Sequence, residues 1–229
     1  AMQVIVTCGP AYEPIDEVRR ITNASTGELG ALLCRELAKA GFKVICLRGE
    51  GATFVSGWEG VDCRTFTTNA DLLRQLRSLS RRRGVGAVFH AAALCDYRVK
   101  SVRGANGHRR RAAKLSSRAG ALTLELEPAI KVIGQLRRLF PRARIVGWKF
   151  ELNGTRAQAL AKGRRQIIGN RTDACVVNGR AYGKGFGVCG ADGRFAHCPS
   201  KAALSRWLAG ALASDRGFNR APSRSPSAR

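Results

Sequence analysis

The sequence predicts an α/β protein in which a mostly parallel, doubly wound β-sheet carries helices on both faces. Short apolar runs, typical of strands buried on both faces, alternate along the chain with segments whose leucines recur at helical spacing. The chain has 229 residues, 45% of them hydrophobic, which is enough for one domain with a sizeable core. Residues 98–120 break the alternation and are predicted to form a flap or long loop.

In the first half of the chain, strands are predicted at residues 4–7, 42–47, 61–67 and 87–94. A polar stretch over residues 10–25 precedes the first helix, which has leucines at helical spacing and a glycine, Gly41, where helices commonly end. A second helix is predicted to begin near Asn69. This order of strand, helix and strand predicts parallel pairing.

In the second half, apolar and polar residues alternate over 122–127, which predicts a half-exposed strand, and Pro128 is predicted to open a helix. Further strands are predicted at 144–148 and 174–177, helices at 155–169 and 202–212, and a hairpin at 186–198. We expect a single domain over residues 1–216. The segment 217–229 is rich in Ser, Pro and Arg and is predicted to be a disordered basic tail.

Composition restricts the possible functions. The formal net charge of +24 admits anionic partners, including nucleotides and nucleic acid. Few aromatic residues lie among the basic clusters, which argues against a platform for single-stranded nucleic acid. No long apolar run is present and the N-terminus does not resemble a signal peptide, so we expect neither a membrane span nor export. The eight cysteines are scattered without a Cys-x-x-Cys motif and are interpreted as reduced thiols of a cytoplasmic protein.

Two segments follow strands and are candidates for ligand binding. In the first, Ser25 or Thr26 is predicted to cap the first helix, and Gly27 and Gly30 leave the backbone bare where a phosphate could approach the helix N-terminus. An ordinary capped helix with a packing glycine explains the same residues. In the second, a run of small residues follows the fourth strand and ends near Asp96, where open parallel sheets bind ligands. A tightly packed strand end explains that run equally well.

Several strings follow one another along the chain in a recognisable order. They are Val6-Thr7-Cys8-Gly9, Pro14-Ile15-Asp16-Glu17-Val18-Arg19-Arg20-Ile21-Thr22-Asn23, Ser25-Thr26-Gly27 with Gly30, Ala92-Ala93, Asp96-Tyr97-Arg98, Lys114-Leu115, Val146-Gly147-Trp148-Lys149-Phe150-Glu151, Asp173, Val176-Val177-Asn178 and Gly185-Phe186. Taken together, they resemble the phosphopantothenoylcysteine synthetase family of coenzyme A biosynthesis, over roughly residues 4–190. The resemblance implies a Rossmann-like fold with an added flap or dimerisation element, and a homodimer whose active sites lie near the subunit interface.

The resemblance also implies a reaction and its residues. Members activate 4′-phosphopantothenate with CTP or ATP, release pyrophosphate, and join the acyl group to cysteine; Mg²⁺ is expected. The implied nucleotide-binding residues are Gly9, Ser25, Gly27, Gly30, Trp148 and Asn178. The implied substrate-binding residues are Arg19, which reaches the substrate from the neighbouring subunit, and Ala92, Ala93 and Asp96. The implied catalytic residues are Asn23, which serves breakdown of the acyl-nucleotide, and Lys114, which serves its formation.

The sequence departs from the family pattern after the first strand. The family's Gly-Gly-Thr is Gly9-Pro10-Ala11 here, and proline removes an N–H that could face a phosphate. A flavin-binding motif is absent, so we expect no FMN. Two alternatives to the ligase stay open: a paralogous nucleotide-binding module without ligase activity, which Pro10 favours, and a basic nucleic-acid-binding protein, which the net charge alone suggests.

Overall fold

The computed structural model describes residues 1–54, 56 and 58–214. The predicted tail at 217–229 lies outside the described residues. The strands are β1 Gln3–Cys8, β2 Tyr12–Pro14, β3 Arg20–Thr22, β4 Lys43–Gly49, β5 Asp62–Phe66, β6 Val85–His90, β7 Tyr97–Gly104, β8 Leu122–Pro128, β9 Arg144–Phe150, β10 Ala174–Asn178, β11 Phe186–Gly190 and β12 Phe195–Cys198. The helices are α1 Glu28–Lys39, α2 Asn69–Ser80, α3 Ile133–Leu139, α4 Arg156–Asn170 and α5 Lys201–Ala213.

The main sheet confirms the predicted α/β class. Its strand order is β12-β11-β10-β9-β6-β1-β4-β5. The six strands from β10 to β5 are parallel, and β11 and β12 extend that sheet as an antiparallel hairpin. The chain moves outward from β1 through β4 to β5 and then returns to β6 on the other side of β1. The order therefore reverses between β1 and β6, and the crevice at that switch point is where open α/β sheets bind ligands.

Helices cover both faces of the sheet, which makes it doubly wound. Helices α1 and α5 pack on one face, against a core that includes Val6, Phe89 and Val176. Helices α2 and α3 pack on the other, around Ile5 and Ile145. Burial on both faces is what the continuous apolar runs predicted.

The segment predicted as a flap or long loop is partly regular. Its first residues form β7, which pairs with β8 in an antiparallel ribbon separate from the main sheet. Of the two alternatives predicted for this segment, the long loop is therefore wrong over residues 98–104, whereas a flap stays a prediction. Basic residues occupy the exposed face of β7, so its sequence lacks the apolar signal of a buried strand. The polar stretch 10–25 contains a second small ribbon, β2 with β3.

Two predicted boundaries were also wrong. The fourth strand ends at His90 rather than residue 94, because beyond it the small-residue run keeps only an isolated bridge to the segment after β1. Pro128 does not open a helix: it is the last residue of β8, and α3 begins five residues later at Ile133. Proline is tolerated both in the first turn of a helix and at the end of a strand of this kind, because neither position requires a hydrogen bond from the N–H that proline lacks.

Candidate functional site

The site lies at the switch point, where the segments following β1 and β6 run side by side. The Ala91 N–H donates to the Thr7 carbonyl over 3.0 Å, and the Ala93 N–H donates to the Gly9 carbonyl over 2.9 Å. The Ala11 N–H then donates to the Ala93 carbonyl over 3.0 Å. These bonds continue the parallel ladder beyond the ends of the two strands and fix the floor of the crevice.

A buried polar pair supports this floor. Oγ1 of Thr7 lies 2.8 Å from Nδ1 of His90 and accepts a bond from the Ala92 N–H over 3.3 Å. The Thr7 hydroxyl can accept that N–H and donate its own proton to Nδ1 at the same time. Burial lowers the pKa of His90 to about 4, so the imidazole is neutral near pH 7. The pair joins β1, β6 and the small-residue run.

Glycines form a cradle above the end of β1. Gly9 and Gly27 have φ values of 74° and 79°, and a Cβ atom on either would lie 2.8 Å or 3.0 Å from the Cβ of Ala52. A Cβ on Gly30 would lie 2.1 Å from the Cβ of Cys8. A side chain at any of the three positions would therefore collide or be strained, which keeps the α1 N-terminus against the strand.

The start of α1 differs from its prediction. Neither Ser25 nor Thr26 is the cap residue: Gly27 is, and it offers no side-chain hydrogen bond. Thr26 contributes only a contact from the Glu28 N–H to its Oγ1, at 3.3 Å. Because Gly27 offers no capping side chain, the positive end of the α1 dipole lies beside the Gly27 loop with only the Glu28 N–H bound by a neighbouring hydroxyl in the described part of the chain. Glu28 forms an ion pair with Lys201 beside this turn.

The segment after β6 is held from both sides. Nδ2 of Asn23 donates to the Leu94 carbonyl over 2.8 Å, which joins the loop before α1 to the small-residue run. On the other side, the Asn69 side chain is buried and donates to the Cys95 carbonyl over 2.8 Å, while its Oδ1 accepts from the Cys95 N–H over 3.1 Å. Asp96 is exposed and forms an ion pair with Lys131.

The base of the flap is tied to the turn before β3. The Asp16 side chain is 1% exposed. Its Oδ2 accepts from the Leu115 N–H over 3.1 Å, and its Oδ1 accepts from the Val18 and Arg19 N–H groups over 2.9 Å and 2.7 Å. The Leu115 N–H first, and then the other N–H groups and the Arg19 charge, hold the pKa of Asp16 below its usual range. Lys114 is exposed on this anchored segment.

Arg19 faces the flap of its own chain. Its guanidinium lies 2.9 Å from Oδ2 of Asp16 and donates to the Leu115 carbonyl. The structure therefore brings Arg19 close to the segment that carries Lys114. It separately brings together Asn23, Gly9, Gly27, Gly30 and the run that contains Ala92 and Ala93.

The two residues expected beside the nucleotide lie on neighbouring strands. Trp148 is on β9 and packs against the core under α1 and α5; its indole N–H is buried without a hydrogen-bond partner among the described residues. Asn178 ends β10, and its carbonyl accepts from the Glu151 N–H over 2.8 Å. Both strands end at the carboxyl edge of the sheet. Ser25, also expected near the nucleotide, is half-buried in the loop before α1.

Sequence reasoning assigned no supporting role to Thr7, His90, Asn69 or Asp16. The first two are 83 positions apart, so their pairing becomes visible only once β1 and β6 are neighbours. Asn69 stands at the start of a helix, where an asparagine is common, so its position in the sequence gives no sign of its contacts with Cys95. Asp16 offered a signal, because an Asp followed by a tight turn commonly binds backbone N–H groups.

A doubly wound sheet with closely packed glycines at its switch point defines the class of α/β proteins whose ligand crevice lies at the carboxyl ends of the strands. The chain belongs to the family described as DNA/pantothenate metabolism flavoprotein C-terminal domain, whose profile matches residues 1–196. The coenzyme A biosynthesis bifunctional protein CoaBC of Thermococcus kodakarensis is 31% identical to it over 179 residues. That match covers 77% of this chain and 41% of the relative, so the chain spans less than half the length of the bifunctional protein.

Solved structures share the fold. The DNA/pantothenate metabolism flavoprotein from Streptococcus pneumoniae superposes with a TM-score of 0.82 at 22% identity, covering 94% of this chain and all of that chain. A Cab2 mutant in complex with phosphopantothenate-cysteine superposes with a TM-score of 0.69 at 16% identity, covering 93% of this chain and 87% of the other. Among the described residues, no helix is long and apolar enough to cross a membrane.

Proposed function

We propose that this chain is a phosphopantothenate–cysteine ligase. It activates the carboxylate of 4′-phosphopantothenate with CTP or ATP, releases pyrophosphate, and transfers the acyl group to the amine of cysteine with loss of the nucleoside monophosphate. The observation that carries the proposal is the crevice at the switch point, where Asn23 bonds the Leu94 carbonyl and thereby joins the glycine cradle to the small-residue run. Family membership and the naming of its relatives for coenzyme A biosynthesis support the same reaction.

The cradle suits a triphosphate. Gly9, Ser25, Gly27 and Gly30 would surround the phosphates at the uncapped start of α1, where N–H groups and the helix dipole favour negative charge. Trp148 and Asn178, on neighbouring strands that end at the same edge of the sheet, would contact the rest of the nucleotide. No group of three or more His, Cys, Asp or Glu side chains among the described residues could hold a metal ion. Mg²⁺ would therefore be held chiefly by the nucleotide phosphates and water.

The acid would bind against the run after β6. Ala92 and Ala93 let a substrate approach the backbone closely, and Asp96 would bind its polar groups. Asn23, already directed at this run, would orient the acyl-nucleotide while the cysteine amine attacks. Lys114 would place its charge on the negative charge that develops around phosphorus, in a site from which the flap excludes water. FMN has no role in this reaction.

A homodimer gives Arg19 a role in this scheme. The resemblance implies that Arg19 reaches the substrate of the neighbouring subunit, and its guanidinium lies beside the base of the flap, on a partly exposed surface that a second subunit could meet. We propose such a dimer, and a cytoplasmic location consistent with free thiols.

The test is pyrophosphate release in the presence of Mg²⁺, 4′-phosphopantothenate and cysteine, with CTP and ATP compared. Release should require the acid, and Lys114→Ala should lower it about 100-fold or more, the usual cost of losing one group that stabilises developing charge. Arg118→Ala is the matched control, because it removes another exposed cation of the same segment and should retain activity.

Absence of acid-dependent release with both nucleotides would refute the ligase. If calorimetry still showed nucleotide binding, the chain would be a nucleotide-binding module. Retention on DNA with a steep salt dependence, and no nucleotide binding, would instead indicate a nucleic-acid-binding protein.

A further inference from the structure

Four of the eight cysteines cluster on the sheet face that α1 covers. Cys8 is on β1, Cys34 on α1, Cys46 on β4 and Cys63 on β5. The Sγ atoms of Cys8 and Cys46 are 3.6 Å apart, and the Cys46 thiol also contacts those of Cys34 and Cys63. All four are free thiols. Because no group of described residues has metal-binding geometry, the cluster is not a metal site.

The four thiols differ sharply in accessibility. Cys8, Cys34 and Cys46 are each at most 1% exposed. Cys63 is exposed, because β5 is the edge strand of the sheet. A small oxidant in solution therefore meets Cys63 first, and the other three sulfurs lie behind it.

The surroundings of Cys63 also lower the pKa of its thiol. The hydrogen bond from the Cys46 thiol, and then the positive charge of Arg48, lower the pKa of Cys63 to about 7. Burial raises the pKa of Cys34, and its thiol neighbours raise that of Cys46. Thiolates are the reactive form of cysteine, so reactivity and exposure coincide at one residue.

The strand register selects a partner for Cys63. Cys46 and Cys63 are directly opposite each other in the parallel pairing of β4 with β5. Neighbouring strands are about 4.8 Å apart, which lies within the Cα separations of disulfides, about 4.4–6.8 Å. Cys8 lies opposite Arg48 rather than Cys46, so its backbone is offset along the sheet.

We propose that Cys63 is a peroxide-sensitive modification site and that Cys46 resolves its oxidised form as an intramolecular disulfide. The Cys63 thiolate attacks hydrogen peroxide, forms an S–O bond, and breaks the O–O bond; the departing hydroxide takes a proton and becomes water. The Cys46 sulfur then attacks the Cys63 sulfur, the S–S bond forms, and the hydroxide that leaves takes the Cys46 proton. The two thiols lose two electrons together, and the peroxide is reduced to two waters.

The disulfide would affect the glycine cradle, a consequence that rests on the proposed function. Cys46 contacts Cys8, which precedes Gly9 and packs where a Cβ on Gly30 would lie. Drawing the Cys46 sulfur toward the sheet edge removes that contact from beneath the cradle. Nucleotide affinity should therefore fall on oxidation and return with a dithiol reductant.

The experiment treats the full chain with hydrogen peroxide and maps thiols by mass spectrometry. A dithiol-reversible species lighter by two hydrogens, with the bridge between Cys46 and Cys63, is expected. At pH 7 a thiol with a pKa near 7 has a thiolate fraction about 50-fold larger than a thiol with a pKa of 9.0. The thiolate with the lower pKa is also the weaker nucleophile, which reduces this advantage about eightfold. Cys63 should thus be alkylated about sixfold faster than a free thiol of pKa 9.0.

Variants separate the roles of the sulfurs. In Cys46→Ser, oxidation should stop at a sulfenic acid on Cys63 that dimedone traps, whereas Cys34→Ser should still form the bridge. A bridge from Cys63 to Cys34 or Cys8, or alkylation of Cys63 no faster than that of the buried thiols, would overturn the proposal. Mass spectrometry does not depend on ligase activity, so failure here and failure of the proposed function are distinguishable.

Discussion

Acidification should destabilise this protein through one buried imidazole, His90. The folded chain holds it neutral against Thr7, with burial lowering its pKa to about 4 from the ordinary 6.5. In the unfolded chain the same imidazole binds a proton near pH 6.5. Below that pH the unfolded state therefore binds more protons than the folded state, and the free energy of unfolding falls.

The size of the effect follows from the pKa difference. A difference of about 2.5 units, at about 1.4 kcal/mol per unit, corresponds to roughly 3 kcal/mol in total. The contribution is complete above about pH 6.5, about 2 kcal/mol of it is lost by about pH 5, and nearly all is lost by about pH 4. This is a large part of the 5–15 kcal/mol typical of a domain.

Urea unfolding between about pH 8 and pH 4 measures this loss in the wild type and in His90→Asn. The asparagine can still bond Thr7 but does not titrate, so the difference between the two curves isolates His90 from the carboxylates. NMR titration of the wild-type imidazole gives an independent reading should the variant fold poorly. Equal pH slopes in both proteins, or an imidazole that titrates near pH 6.5 in the folded chain, would refute the reasoning.

Two further predictions concern the parts that position the site. Asn69→Ala leaves the buried N–H and C=O of Cys95 without their side-chain partners, so it should lower the free energy of unfolding in urea by about 2–4 kcal/mol. It should also raise KM for the acid more than KM for the nucleotide. The control, Asn153→Ala at an exposed position, should change neither quantity. Asp16→Asn weakens the carboxylate acceptor of the Leu115 N–H, which loosens the base of the flap, so trypsin should cut the flap faster. The control, Asp192→Asn in a distant turn, should leave the cleavage rate unchanged. Equal cleavage in Asp16→Asn and the wild type would show that this contact does not anchor the flap.

The sequence predicted the central sheet well because its strands are buried on both faces. Continuous apolar runs such as that of β1 allow few other interpretations, and the glycines of the cradle stand where their lack of side chains is required. The prediction that residues 98–104 form a loop failed for the opposite reason. Strand β7 lies outside the main sheet and carries exposed basic side chains, so its identity depends on pairing with β8 residues 18 to 31 positions away.

The site was predictable only in part. Local motifs located the glycine cradle, Asn23 and the small-residue run, because each is a continuous piece of chain. The supporting contacts are not local: the Thr7–His90 pair and the two bonds from Asn69 to Cys95 join elements that only the fold brings together. A capping side chain at Ser25 or Thr26 was expected from propensity, but the close approach of Gly27 to Ala52 decides the geometry of that turn.

The departure at Pro10 is compatible with this arrangement for a specific reason. Pro10 is opposite Ala93 in an isolated parallel bridge, whose two bonds use the carbonyl of Gly9 and the N–H of Ala11. The missing N–H of Pro10 is therefore not one that the bridge requires, and the proline costs the ladder no hydrogen bond. What changes is the number of donors facing a ligand at the end of β1. An anion bound there must rely more on the uncapped first turn of α1, behind Gly27, than it would in a chain with glycine at this position.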